Sequence, residues 1–283
     1  MNTIVYQGLE GCYSHLVAKH VFPLNPLIGL KTFEETFKKL DQKQAKYCIL
    51  PIENSLAGSV IENYKWLHKY RINIIAEFYK KIEHCLLALP HPEMEASSQL
   101  QMIKQVLSHP KALEQCLLFF QQHPSIEPVV FYDTAGAAAF IKESKKTELG
   151  AIASSEAAQI YGLNVLQHHL EDNIQNYTRF LLITSDLEER KFNLDEVNKC
   201  SFKISLKNNP QSLIQVLQIF ANKSFSLTKI ESIPLQTNPF KYIFYFDFSF
   251  IPNTLNLREV LKDLKNITDE IEMLGLYKSG EVI

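Results

Sequence analysis

The chain has 283 residues, 46% of them hydrophobic and 21% charged, a globular composition with length for one large domain or two ordinary ones. A net charge of -2 and a pI near 6.5 leave no basic field to draw it to nucleic acid or an anionic membrane, so neither is an expected partner. The N-terminus shows no basic start followed by an apolar core, and no apolar run suits a membrane-spanning helix, so a cytoplasmic protein is expected.

In chain order, the patterning predicts a strand over 3–6, a helix over 14–20, a buried strand over 47–51 and a helix over 59–70. An extended stretch over 72–89 is suited to carrying the chain from one lobe to another. Further strands are predicted over 106–108, 129–132, 151–154 and 179–184, separated mostly by helical segments. Strands alternating with helices indicate an α/β sheet with helices on its faces. Residues 186–199 are charged and lack apolar periodicity, which marks a linker. Beyond it the pattern reads strand 200–206, helix 210–222 with Pro210 at its start, strands 225–233 and 242–250, helix 255–264 and strand 271–277. That β-α-β-β-α-β order over 200–283 is ferredoxin-like.

The turns that carry chemistry lie where predicted strands end, as ligand sites of open α/β sheets do. Gly8-Leu9-Glu10-Gly11-Cys12-Tyr13-Ser14 is either a strand-helix turn capped by Ser14 or a backbone site for a carboxylate. Glu53, Asn54, Ser55 and Ser59 form a polar cluster after a buried strand, able to hold an oxygen-rich molecule or simply to turn the chain. Ser59 also suits a helix cap. Asn176, Thr178 and Arg179 sit where a loop enters the apolar strand 180–183. There Thr178 is a β-former or a reactive hydroxyl, and Arg179 a surface charge or a bidentate carboxylate anchor. His109 reads as structural, Asp133 as a helix cap, and Trp66 as core. The five cysteines (Cys12, Cys48, Cys85, Cys116, Cys200) are odd in number and scattered, with no CxxC or Cys/His cluster, so reduced thiols and no metal are expected.

Taken together the motifs resemble the prephenate dehydratase family. GLEGCYSH is similar to its G-P-x-G-T-[YF]-S opening and LPIENSLAGSV to V-P-I-E-N-S-x-x-G-x-V. LSHPKALEQC, DTAGAA, YGLNVL and DNIQNYTRF follow in the family's order, the last close to N-x-T-R-F. KNNPQSLIQVLQIFANKSFSLTKIESIPL resembles the part of the family's ACT domain that carries P-G-A-L and E-S-R-P. Cys12 and Leu9 stand where Thr and Pro are usual. Gln211 and Ser212 replace Gly and Ala, and Ile233 replaces Arg.

The resemblance implies a catalytic region of two α/β lobes over 1–185, similar to a periplasmic binding protein. The linker 186–199 and an ACT regulatory domain over 200–283 would follow, with no chorismate mutase domain upstream. It implies decarboxylating dehydration of prephenate to phenylpyruvate without a cofactor. Thr178 would hydrogen-bond the leaving hydroxyl and Arg179 anchor a carboxylate, with Asn54 and Ser55 completing the catalytic set. Tyr13, Ser14, Glu53, Ser59 and Asn176 would contact substrate. L-Phenylalanine would act as effector at Asn209, Pro210, Gln211, Ser212, Leu213, Glu231 and Ser232, in a homodimer or homotetramer. Arogenate as substrate and a non-catalytic amino-acid-binding regulator are the alternatives.

Overall fold

Short β-branched and apolar runs such as Ile4-Val5-Tyr6 and Cys48-Ile49-Leu50 become adjacent strands in the computed structural model of the protein, which describes residues 2–189, 195–207, 209–235, 241–253 and 257–283. The chain forms two compact units, neither continuous in sequence. One comprises residues 1–60, 79–180 and 282–283, the other 61–78 and 181–281. The expected carrier segment is strand Asn73–Lys81, which leads from the second unit into the first, followed by Cys85–Ala88. The expected linker lies partly outside the described residues, at 190–194, as do 255–256 of the predicted helix 255–264.

The first unit holds two α/β lobes. In one, Ile4–Gln7 pairs in parallel with Leu27–Leu30 and with Tyr47–Asn54, and the start of strand Tyr177–Thr184, up to Phe180, follows in the strand order. In the other, a five-stranded sheet runs Asn164–Gln167, Cys85–Ala88, Leu149–Ala153, Gln105–Ser108, Glu127–Val130, with the last three parallel. Helices Thr134–Ser144 and Ser155–Tyr161 cover it through buried Ala137, Ala138, Ala157 and Ala158, small side chains that let helix and sheet approach closely.

The second unit is ferredoxin-like. Its strand order is Ser226–Pro234, Tyr242–Ser249, Lys199–Leu206, Thr268–Tyr277, all antiparallel, with helices Ser212–Asn222 and Leu257–Ile267. Phe202, Phe220, Phe225, Phe246 and Phe248 fill its core, Phe220 stacking on Phe248 at 3.5 Å. Helix Ile61–Lys69 belongs here too: Trp66 is buried, and Tyr245 donates its hydroxyl to the Tyr64 carbonyl at 3.0 Å. Gly275 pairs with Ile74, where any Cβ would collide with the Ile74 carbonyl. Lys199 and Glu77 form a buried pair at 2.8 Å. Among the described residues no helix is long and apolar enough to cross a membrane.

Three predicted helix starts move. Ser14 is the second residue of Tyr13–Val21, whose N-cap is Cys12. Ser59 lies in the two-residue strand Gly58–Ser59, paired with Glu53, so it does not cap Ile61–Lys69. The helix expected from Pro210 begins at Ser212, because the Asn209 side chain and carbonyl accept the Gln211 and Ser212 amides in a preceding turn.

Candidate active site

The two lobes of the first unit meet around Asn54, the last residue of strand Tyr47–Asn54. Its carboxamide oxygen accepts the Leu56 and Ala57 amides at 3.0 and 2.8 Å and so shapes the turn after the strand. Its NH2 group donates to Asn176 Oδ1 at 2.8 Å, to Thr178 Oγ1 at 3.0 Å and to the Tyr177 carbonyl at 3.2 Å. Thr178 Oγ1 is therefore an acceptor toward Asn54, and its own O–H is directed elsewhere. Asn54 is the hydroxyl's only hydrogen-bond partner among the described residues.

Ser55 ties the same loop from its other side. Its hydroxyl donates to the Gln175 carbonyl and accepts the Tyr177 amide, both at 2.9 Å. Asn176, fully buried, passes its NH2 to Gln115 Oε1 at 2.9 Å, and Gln115 reaches Asn54 Oδ1 at 3.4 Å. His84 Nε2 meets the same Gln115 oxygen at 3.0 Å. A carboxamide oxygen only accepts, so His84 carries its proton on Nε2. Burial pushes the His84 pKa down and keeps the ring neutral, a trend that the Gln115 bond opposes. Arg179 is buried, with Glu53 Oε2 at 3.7 Å, an ionic neighbour beyond hydrogen-bond length.

The glycine turn has several of its polar atoms engaged. Gly8 and Gly11 have φ of +111° and +91°, the left-handed region that favours glycine. The Leu9 amide donates to Asp133 Oδ2 at 3.0 Å, the Ser154 hydroxyl to the Gly11 carbonyl at 3.1 Å, and the Tyr161 hydroxyl to the Glu10 carbonyl at 2.7 Å. Asp133 also caps its helix by accepting the Ala135 amide at 3.0 Å. Tyr13 donates to the Glu83 carbonyl at 2.6 Å and packs edge-on against His84.

A family model described as prephenate dehydratase matches residues 4–188, which takes in every residue of this constellation. The chain belongs to the prephenate dehydratase family. An Arabidopsis thaliana protein named arogenate dehydratase/prephenate dehydratase 1, chloroplastic, is 35% identical over 97% of this chain and 71% of its own length. A prephenate dehydratase from Arthrobacter aurescens, solved in complex with L-Phe, superposes with a TM-score of 0.83 at 26% identity, over 98% of this chain and 90% of that one. GqqA, described as a novel type of quorum quenching acylase, also reaches 0.83, at 28% identity and 98% of both chains.

Within this prephenate dehydratase family chain, Asn54, Ser55, Asn176 and Thr178 lie in one hydrogen-bonded cluster, with Glu53 and Arg179 beside each other. Tyr13 reaches the same neighbourhood through His84, and Ser59 lies opposite Glu53 on the strand pair. Sequence reasoning missed Gln115 and His84. Gln115 lies inside the LSHPKALEQC match, the one signal that pointed toward it. The effector candidates Asn209, Pro210, Gln211, Ser212 and Leu213 lie at the start of helix Ser212–Asn222, where the Ser212 hydroxyl donates to the Lys207 carbonyl at 3.0 Å. Glu231 and Ser232 lie on strand Ser226–Pro234, with Lys229 Nζ 3.8 Å from Glu231. Cys12 is buried and its thiol pKa is raised by that burial, the opposite of an activated nucleophile; all five cysteines are free.

Proposed function

We propose that the chain converts prephenate to phenylpyruvate, carbon dioxide and water. The ring carboxylate leaves as carbon dioxide, and the electron pair of its bond to the ring becomes part of the new π system. The ring C–O bond breaks and the hydroxyl departs with one proton as water. Aromatisation supplies the driving force, so no electron-sink cofactor is needed. Starting from the dianion, one proton is consumed.

Thr178 is the proposed catalytic residue. The observation that carries the reading is the 3.0 Å bond from Asn54 Nδ2 to Thr178 Oγ1, which leaves the Thr178 proton to be donated to the leaving hydroxyl. Threonine is a weak acid, so the consumed proton comes finally from water and Thr178 relays or polarises. Asn54, Ser55 and Asn176 are proposed as positioning residues: their polar groups are engaged in orienting the 175–178 segment. Arg179 is assigned to anchoring a substrate carboxylate, with Glu53 balancing its buried charge. Tyr13, Ser14, Glu53 and Ser59 are assigned to the walls around the substrate.

We assign residues 1–185 to catalysis, 186–199 to a linker and 200–283 to an ACT domain in a cytoplasmic homodimer or homotetramer. L-Phenylalanine is the proposed effector at residues 209–213 and 231–232. The ferredoxin-like topology and the L-Phe complex of the Arthrobacter relative support this assignment. A second reading, arogenate as preferred substrate, is favoured by the plant relatives named arogenate dehydratases at 32–35% identity. Parallel turnover assays on prephenate and arogenate decide between the two. Product from neither substrate with folded protein would overturn both and leave a binding role.

A further inference from the structure

Glu83, His169 and Glu171 converge in the first unit, beside Tyr13 and His84, and the reaction above uses none of their side chains. Their candidate ligand atoms all lie within 4.8 Å of one another. His169 Nδ1 is 3.5 Å from Glu171 Oε1 and 3.8 Å from Glu83 Oε1. Glu171 is 6% exposed; its Oε2 accepts the His84 amide at 2.8 Å, whereas its Oε1 is buried and accepts no hydrogen bond. A buried carboxylate oxygen without a donor is costly, and a bound cation removes that cost.

We infer that Glu83, His169 and Glu171 form a binding site for one divalent cation of the zinc type. Tetrahedral bonds of about 2.1 Å to such an ion place neighbouring ligand atoms roughly 3.4 Å apart. The two separations from His169, 3.5 and 3.8 Å, are near that spacing, and the Glu83–Glu171 pair, within 4.8 Å, closes onto the ion by side-chain rotation. One imidazole with two carboxylates selects zinc over magnesium or calcium, which take oxygen ligands. His169 and Glu83 are partly open to solvent, which gives the ion a path in and leaves a position for water. The His84 amide on Glu171 Oε2 is the outer contact that orients the buried ligand.

Lys81 is the local competitor. Its Nζ lies 2.8 Å from Glu83 Oε1 and draws the Glu83 pKa down, chiefly through that hydrogen bond. One exposed ammonium balances one of the two carboxylates, and zinc binding displaces it from Glu83. Local Cys/His spacing does not reveal this site, because Glu83 is far in sequence from the His169–Glu171 pair.

The test is calorimetric titration of the chelator-treated full chain with zinc chloride near neutral pH. Expected are one equivalent bound per chain and affinity reduced about tenfold or more in His169→Ala and in the second variant Glu83→Gln. Lys81→Ala should bind more tightly, and excess magnesium should not displace the zinc. Zinc should raise the melting temperature of the wild type but not of His169→Ala. His169 is exposed but has a φ of +55°, so His169→Asn, which tolerates that backbone, is run beside His169→Ala to separate a lost ligand from backbone strain. Absence of saturable zinc binding, or equal affinity in wild type and His169→Ala, would overturn the site.

Discussion

Replacing Thr178 by Val removes one hydroxyl while keeping the β-branched shape that suits strand Tyr177–Thr184. The lost contact is the 3.0 Å bond from Asn54. Asn54 Nδ2 retains Asn176 Oδ1 at 2.8 Å and the Tyr177 carbonyl at 3.2 Å, two acceptors for its two protons. No buried donor is orphaned, so the stability cost is that of one net hydrogen bond, about 0.5–1.5 kcal/mol. That is a melting shift of a few degrees at most in a protein of this size. The catalytic cost is set by a different term. Positioned proton donation contributes about 10²–10⁴-fold, or roughly 2.7–5.4 kcal/mol of barrier. Steady-state phenylpyruvate formation by Thr178→Val should therefore drop by that factor while the melting curve scarcely moves, and Thr178→Ser should recover most of the rate. A Thr178→Val enzyme within about threefold of wild-type kcat would refute the role given to this hydroxyl.

Asn54→Asp tests the direction of the hydrogen bond. A carboxylate has no proton for Thr178 Oγ1 and draws the Thr178 O–H onto itself, so kcat should fall as far as in Thr178→Val; a kcat close to wild type would contradict this orientation. Arg179→Lys loses the planar fork and should raise KM about tenfold with a smaller change in kcat, and an unchanged KM would make Arg179 a brace for Glu53 instead. Gly8→Ala places a Cβ 2.8 Å from Cys12 Sγ and 3.0 Å from Asp133 Oδ2 at a φ of +111°, so chemical denaturation should show a loss of about 1–3 kcal/mol. His84, His15, His68 and His109 all have pKa values pushed below the ordinary 6.5 by burial. The unfolded chain then takes up protons that the folded one refuses. Stability should hold above about pH 6.5 and decline as pH falls below it toward the folded values, with a shallower decline in His84→Gln, measured by melting temperature against pH. A flat profile would contradict the burial of these rings.

The ferredoxin-like half was legible because its strands alternate and its helices carry a clear stripe: Cys200, Phe202 and Ile204 point to one core, and Val216 and Phe220 meet them. The glycine turn was legible too, since Gly8 and Gly11 occupy backbone conformations that favour glycine. Capping was not. Ser14 and Ser59 have the right chemistry for caps, yet the preceding Cys12 and the strand pairing at Glu53 fix where the helices begin. Helix Ile61–Lys69 joins the second unit through Tyr64 and Tyr245, a partnership far apart in sequence that no local pattern encodes. The same holds for Gln115 and His84, whose side chains gain meaning only where they meet Asn54 and Asn176.

The most direct measurement is phenylpyruvate production from prephenate by the purified full chain, run beside arogenate and beside Thr178→Val. Expected is turnover of prephenate, with one proton consumed per product formed, that is lost in Thr178→Val. Folded wild-type protein that leaves prephenate unchanged would contradict the assignment, whatever the variant does.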